Sequence, residues 1–170
     1  MNTGRMAGVF YLGTFVSGFL GLAFGAPMDV ANAIATVCYV GVTVLFYVLF
    51  TPVNQPVSLL AALFSATGCV LGLLRGLHLA RSPISELAFF GCYCILIGYL
   101  IYVSRLLPRW LGVLLAIGGL SWLTFGWLPL ARSLSPYNYA PGILAEGLLT
   151  IWLLVFGATT STPWTRAGRP

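Results

Sequence analysis

Long apolar segments alternate with short polar turns along almost the whole chain. Six of these segments reach the roughly 20 residues that an α-helix needs to cross the hydrocarbon core of a bilayer. They cover residues 6–26, 30–50, 57–79, 84–103, 110–130 and 142–158. The pattern therefore predicts an all-α fold, an integral membrane bundle of six transmembrane helices. We expect residues 1–158 to form a single domain and residues 159–170 to form a polar C-terminal tail.

The connections between the segments carry residues that end or begin helices. Pro52 and Pro56 lie in the connection 51–56, and proline cannot continue a helix because it lacks a backbone N–H. Asp29 and Ser82 are placed to cap the helices that follow them. The longest connection, 131–140, is rich in Ser, Pro, Tyr and Asn and is predicted to be a loop. Its Tyr-Asn-Tyr run at 137–139 is either a lid over a cavity or an interfacial aromatic cluster.

The chain has too few charges to cover its own surface in water. Charged residues make up 6% of it and hydrophobic residues 59%, whereas a soluble domain carries about 25% charged residues. The net charge of +5 comes from 8 basic and 3 acidic residues that interrupt the apolar segments. Nucleic-acid binding needs a clustered basic face, so the composition argues against a nucleic-acid partner. The lipid bilayer is the expected partner.

The arginines are unevenly distributed between the two ends of the predicted bundle. With six helices, both chain termini lie on one side of the membrane. That side holds five arginines and no acidic residue: Arg5, Arg105, Arg109, Arg166 and Arg169. Because basic residues are enriched in cytoplasmic loops, the distribution predicts cytoplasmic termini.

Several short stretches carry a resemblance to a known family. The most specific is Leu-Pro-Arg-Trp-Leu-Gly at residues 107–112, accompanied by Pro-Val-Asn at 52–54 and Gly-Tyr-Leu-Ile-Tyr at 98–102. In these motifs the chain resembles a bacterial membrane protein family catalogued as domain of unknown function 4386. The resemblance implies a multi-pass protein of the bacterial inner membrane, the cell membrane, without an assigned reaction. Family members often carry a histidine in the fourth-helix motif, where this chain has Tyr93.

Glu146 is the most informative single residue of the chain. A charged side chain at the centre of a membrane helix costs roughly 2.5–3.5 kcal/mol on insertion scales, so it normally faces the bundle or a cavity. Arg75 and His78 are three residues apart and share one face of the third predicted helix. We therefore predict a ligand-binding site in the outer half of the bundle, between the third, fourth and sixth helices. Its candidate lining residues are Glu146, Arg75, Tyr93 and His78.

Simpler explanations exist for these residues. Glu146 lies near the start of the sixth predicted helix, where the helix dipole stabilises a carboxylate close to the interface. Arg75 either pairs with Glu146 inside the bundle or extends to the lipid headgroups. His78 is the only histidine and cannot supply the three or so protein ligands of a catalytic zinc. Neither a metal nor another cofactor is therefore predicted, and no residue is assigned a catalytic role.

Small residues are frequent in the predicted helices. The four cysteines each lie inside an apolar segment and are predicted to be free thiols that pack in the bundle. Gly68, Gly72 and Gly76 recur at four-residue spacing, which lets helix backbones approach closely in lipid. These three glycines either pack within one bundle or form the face of a homodimer.

The sequence contains no motif of a known reaction, neither a Gly-rich phosphate loop nor a Ser-His-Asp set. The leading interpretation is a small multi-pass membrane protein with a structural or accessory role, whose protein partner is a second copy of the chain or another membrane protein. The alternative is small-molecule or lipid binding, or transport, through the predicted polar site. An intramembrane enzyme is disfavoured because so few polar side chains lie in the apolar segments.

Overall fold

The computed structural model describes residues 3–24, 28–79 and 85–158, and this part of the chain is helical without a strand. It contains seven α-helices: α1 Thr3–Phe24, α2 Met28–Phe50, α3 Gln55–Gly76, α4 Glu86–Ser104, α5 Arg109–Leu123, α6 Leu128–Leu134 and α7 Ala140–Val155. Two single-turn 3₁₀ helices, Thr124–Gly126 and Tyr137–Tyr139, flank α6. The predicted cap at Ser82 and the predicted tail 159–170 lie outside the described residues.

Five helical stretches are long and apolar enough to cross a membrane. They are Val30–Phe50, Gln55–Gly76, Glu86–Ser104, Arg109–Gly126 and Tyr137–Val155. They coincide with five of the six predicted spans, so the all-α membrane bundle is confirmed. The remaining predicted span corresponds to α1, whose 22 residues also have the length of a span. The count of six stays a prediction.

The region 124–140 differs from the prediction. The fifth helix was expected to continue to residue 130, but α5 ends at Leu123 and Trp127 is extended, with φ −125° and ψ 103°. Pro129 lies in the first turn of α6 and cannot continue a preceding helix, because its ring occupies the place of an N–H donor. The predicted loop 131–140 instead contains the end of α6 and the second 3₁₀ helix.

The six long helices form a closed ring. From α1 to α5 each helix packs against the next one along the chain, α5 packs against α7, and α7 packs against α1. The short helix α6 packs against the two 3₁₀ helices. Because the ring closes, each long helix has one face directed to a shared interior and another directed outward.

The interior and the exterior of the ring are both apolar. Phe46, Leu100 and Leu149 are fully buried in the interior. Val37 is 69% exposed and Leu144 is 64% exposed on the outside. An apolar exterior of this kind is stable in the hydrocarbon of a bilayer and unstable in water, which agrees with the composition.

Glycines bring α4 and α5 unusually close together. A Cβ atom added at Gly98 would lie 2.6 Å from the carbonyl oxygen of Gly112. At the other end of the same interface, a Cβ atom at Gly91 would lie 2.7 Å from the carbonyl oxygen of Gly119. The two backbones are therefore in direct contact, as is common where small residues face each other in membrane helices.

Two of the three glycines that recur along α3 also face a neighbouring helix. A Cβ atom at Gly68 would lie 3.0 Å from the ring of Phe90 on α4, and one at Gly72 would lie 3.8 Å from Cγ of Glu86. Gly68 therefore packs against α4 within the bundle, whereas Gly72 faces the same helix without a close contact. The homodimer stays a prediction.

Candidate functional site

Glu146 lies deep in the bundle. The span Tyr137–Val155 has 19 residues, and Glu146 is the tenth of them. The prediction placed this carboxylate about one turn into its helix and close to the interface. The structure places it deeper, because the 3₁₀ helix Tyr137–Tyr139 lengthens the span on the N-terminal side of α7. A carboxylate at the middle of a span needs polar partners inside the bundle.

Those partners are electrically neutral. Oε1 of Glu146 accepts a hydrogen bond from Nε1 of Trp122 at 2.8 Å and one from Sγ of Cys94 at 3.6 Å. The Glu146 side chain is only 8% exposed. No cationic side chain of the described residues forms an ion pair with Glu146. The interior of the ring therefore contains a carboxyl group that only uncharged donors contact.

Of the two alternatives left open for Arg75, the structure does not show the ion pair with Glu146. Nη1 of Arg75 lies 2.9 Å from Oε2 of Glu86. Arg75 is on α3, which packs against α2 and α4, whereas Glu146 is on α7, which packs against α5 and α1. The order of helices around the ring thus separates the two residues.

Three tyrosines on three helices surround the same interior space. Tyr11, Tyr39 and Tyr93 are buried, with ring centroids 5.6 Å apart between Tyr11 and Tyr39 and 5.8 Å apart between Tyr39 and Tyr93. All three lie in the same part of the interior as the carboxyl group of Glu146. None of their hydroxyl groups has a hydrogen-bond partner among the described residues. A buried hydroxyl without a partner costs about 1–3 kcal/mol, so three in one place are an unusual concentration of unused hydrogen-bonding capacity.

We call the set Tyr11, Tyr39, Tyr93, Cys94, Trp122 and Glu146 the central cluster. Its residues on different helices lie at similar positions along their spans. Tyr39 is the tenth of the 21 residues of the span Val30–Phe50, and Cys94 is the ninth of the 19 residues of the span Glu86–Ser104. Together with Glu146 these positions place the cluster at the middle of the bundle.

A second polar region is an open cavity of about 400 Å³ between α2, α3 and α4. It lies at the end of the bundle opposite to Thr3 and Val155, and we call it the distal cavity. Six polar or charged side chains line it above Tyr39: Thr14, Asn32, Thr36, Arg75, His78 and Glu86. Gly68, Gly72 and Gly76 of α3 also line it, so the missing side chains on that helix provide part of its volume.

The end of α3 places a histidine at the distal cavity in an uncommon backbone conformation. His78 has φ 56°, in the left-handed region. Its backbone N–H donates to the carbonyl oxygen of Arg75 at 3.0 Å, which closes the last turn of the helix. The left-handed conformation costs a non-glycine residue roughly 1–2 kcal/mol, and such outliers tend to occur at functional positions.

The four predicted site residues are divided between these two regions. Arg75 and His78 line the distal cavity, whereas Tyr93 and Glu146 belong to the central cluster. Tyr39 connects the regions, because its side chain lines the cavity and its ring packs against Tyr11 and Tyr93. Sequence reasoning missed Tyr39 and Tyr11. No sequence signal marked them, because a tyrosine in an apolar segment is stable either inside the bundle or facing outward.

The distal cavity brings polar side chains of several chemical types together. The distal cavity offers a guanidinium, a carboxylate, an imidazole, an amide and hydroxyl groups. Cys69 and His78 both line it, but no hydrogen bond joins them, so this thiol has no adjacent base. Within the described ranges, no three His, Cys, Asp or Glu side chains lie close enough together to hold a metal ion.

Comparisons with other proteins agree with the sequence motifs. The family model described as domain of unknown function (DUF4386) matches residues 84–157. An uncharacterised protein of Archaeoglobus fulgidus is 32% identical over 131 residues, which are 72% of this chain and 78% of that protein. No solved structure matches the chain significantly. The predicted family is therefore confirmed: the chain belongs to the family of uncharacterised helical membrane proteins described as DUF4386.

Proposed function

We propose that this protein binds a small polar molecule in the distal cavity. The observation that carries the proposal is the cavity itself, about 400 Å³ in volume and lined by Asn32, Thr36, His78 and a charged pair. This volume falls within the range of roughly 300–1,000 Å³ that is usual for ligand pockets. A ligand there would contact side chains from three helices at once.

The polar lining favours binding over the structural or accessory role that the sequence alone ranks first. A protein that only packs against partners needs an apolar core and an apolar exterior. Polar groups that line a cavity within a membrane helix bundle carry a desolvation penalty, and function is the usual reason for retaining them. Gly72 and Gly76 support this argument, because side chains at these positions would occupy part of the cavity.

The proposed setting is the bacterial inner membrane, with six spans and both termini in the cytoplasm. Arg5, Arg105 and Arg109 support this orientation. Arg5 donates to the carbonyl oxygen of Val155 at the end of α7, and the other two arginines flank the turn between α4 and α5 at the same end of the bundle. Basic residues are enriched on the cytoplasmic side. The distal cavity would then open toward the outer face of the membrane.

Filling the cavity tests the proposal. A Cβ atom at Gly72 would meet only Cγ of Glu86, at 3.8 Å, so Gly72→Leu should fold and should place its side chain in the cavity. The matched control is Gly18→Leu on α1, where an added Cβ atom has no neighbour within 4 Å and which does not line the distal cavity. Native mass spectrometry of protein purified in mild detergent reads out any bound mass.

We expect one discrete bound mass in the parent and in Gly18→Leu, and its loss in Gly72→Leu. The same bound mass in all three proteins would contradict the proposal, because annular lipid binds outside the cavity. Absence of a bound mass from all three would also contradict it and would favour the accessory role, with a second copy of the chain or another membrane protein as partner.

A further inference from the structure

We infer that the ligand carries a positively charged amine or quaternary ammonium group, which docks against Glu146 between the tyrosines of the central cluster. This inference rests on the proposed function, since the ligand enters through the distal cavity. It adds the chemical class of the ligand and a second contact region. Its support has three parts: the charge of the central cluster, the shape of the cluster and the access to it.

The first part is charge. Oε1 of Glu146 accepts the hydrogen bonds of Trp122 and Cys94, and no cationic side chain of the described residues forms an ion pair with this carboxyl group. Among the residues that the structure describes, the ion pair at the distal cavity is that between Arg75 and Glu86 at 2.9 Å, and its two charges cancel. A ligand that reaches the cluster therefore meets one carboxyl group without a cationic partner. A buried carboxylate is stabilised most by a cation in direct contact with it.

The second part is the arrangement of aromatic rings. Tyr39 packs edge-on against Tyr11 and Tyr93 and lies 4.6 Å from Phe90, measured between ring centroids. Aromatic faces and edges from several helices thus meet beside the carboxyl group of Glu146. A cation close to an aromatic face gains about 0.5–2 kcal/mol from the ring quadrupole. Carboxylate plus aromatic rings is the combination that recognises organic ammonium groups.

The hydroxyl groups of the tyrosines complete the recognition chemistry. The three hydroxyl groups are buried and have no hydrogen-bond partner among the described residues. Their oxygens can accept hydrogen bonds from the N–H groups of a primary amine. A neutral or anionic ligand would leave the carboxyl group without a counter-charge.

The third part is access. Tyr39 and Phe90 form the floor of the distal cavity, and the same Tyr39 ring packs against the other two tyrosines of the cluster. Tyr39 therefore contacts both the cavity and the cluster. Rotation of Tyr39 about χ1 would join them, and rotations of this kind are common on ligand binding.

The experiment measures thermal unfolding of the detergent-purified protein in the presence of butylammonium chloride or tetramethylammonium chloride. Butanol at the same concentration is the neutral probe, and sodium chloride at the same ionic strength is the inorganic probe. We expect the ammonium probes to raise the melting temperature of the parent and the other two probes to leave it unchanged. The apparent affinity should fall about tenfold or more, equivalent to 1.4 kcal/mol or more, in Glu146→Gln.

Tyr93→Phe provides a test that does not depend on the folding of Glu146→Gln. The Tyr93 hydroxyl has no partner, so its removal should not destabilise the protein but should weaken ammonium binding. Tyr99→Phe on the same helix is the control, because Tyr99 is 50% exposed on the outside of the ring. It should bind the ammonium probes as the parent does.

Three results would overturn the inference. The first is that the parent, Glu146→Gln and Tyr93→Phe bind the ammonium probes with equal affinity. The second is that butanol stabilises the parent as much as the ammonium probes do. The third is that sodium chloride stabilises the parent as much as the ammonium probes do. The two proposals fail separately. Loss of the natural bound mass in Gly72→Leu together with unchanged ammonium affinity in Glu146→Gln would retain the distal cavity and reject the cationic ligand.

Discussion

Replacing Gly98 with alanine would test the direct backbone contact between α4 and α5. The added Cβ atom would lie 2.6 Å from the carbonyl oxygen of Gly112 and 3.0 Å from the backbone nitrogen of Ala116. Carbon–oxygen contacts between packed helices are normally about 3.3–3.6 Å long, so α4 and α5 must separate by about 0.7 Å or more. Both neighbouring atoms belong to the backbone of α5 and cannot move independently of the helix.

The expected loss of stability follows from two opposing effects. Overpacking of a well-packed core typically costs about 1–3 kcal/mol. Alanine has a higher helix propensity than glycine, which offsets up to about 1 kcal/mol. We therefore expect Gly98→Ala to lower the free energy of unfolding by about 0–2 kcal/mol, and by about 1–3 kcal/mol relative to a Gly→Ala change at an unobstructed helix position. The measurement is a titration of the protein from mild detergent into SDS, followed by circular dichroism.

Gly147→Ala is the matched control for this experiment. Gly147 also lies inside a span, but a Cβ atom there would have no neighbour within 4 Å. The control should be neutral or slightly stabilising, by up to about 1 kcal/mol. If Gly98→Ala is as stable as Gly147→Ala, the direct backbone contact between α4 and α5 is wrong.

Two further predictions concern the candidate site. His78 has φ 56°, a conformation that glycine adopts without strain. His78→Gly should therefore raise the free energy of unfolding by about 1 kcal/mol in the same titration. A lower free energy of unfolding in this variant would contradict the backbone strain at His78. A Cβ atom at Gly142 would lie 2.5 Å from Nε1 of Trp122, so Gly142→Ala should move the indole away from Glu146. Gly142→Ala and Trp122→Phe should then each lower the free energy of unfolding by about 1–3 kcal/mol. The double variant should lose less than the sum of the two single losses, because both changes remove the same hydrogen bond. A loss equal to the sum would show that the two substitutions act on different contacts.

Some of the candidate site could be recognised from residue type alone. Glu146 was recognisable because a carboxylate inside an apolar segment is costly. Arg75 and His78 were predicted to share one face of the third helix, but α3 ends at Gly76 and His78 lies in the turn that follows it. Tyrosine gives no such signal. Tyr93 is 1% exposed in the interior and Tyr99, six residues later on the same helix, is 50% exposed on the outside. A tyrosine is stable in either environment, so its sequence position does not tell which one it occupies.

The sequence by itself determined the helical class, the membrane environment and most of the helix positions. These are local properties, because the length of an apolar segment and the prolines at its ends act within a few turns of the chain. The span 30–50 illustrates this, since α2 ends at Phe50 just before Pro52, where the apolar segment ends. The break at Trp127 was missed, because residues 124–130 are apolar enough to extend the helix and only Pro129 opposes it.

Only the tertiary structure decided which polar groups meet. Apolar helices in lipid have no strongly preferred face, so the order of helices around the ring and the close approach of glycine backbones select their neighbours. That order paired Arg75 with Glu86 rather than with Glu146, and it brought tyrosines from α1, α2 and α4 together around a carboxyl group on α7. Contacts between helices far apart in sequence depend on this packing, which local hydropathy does not encode.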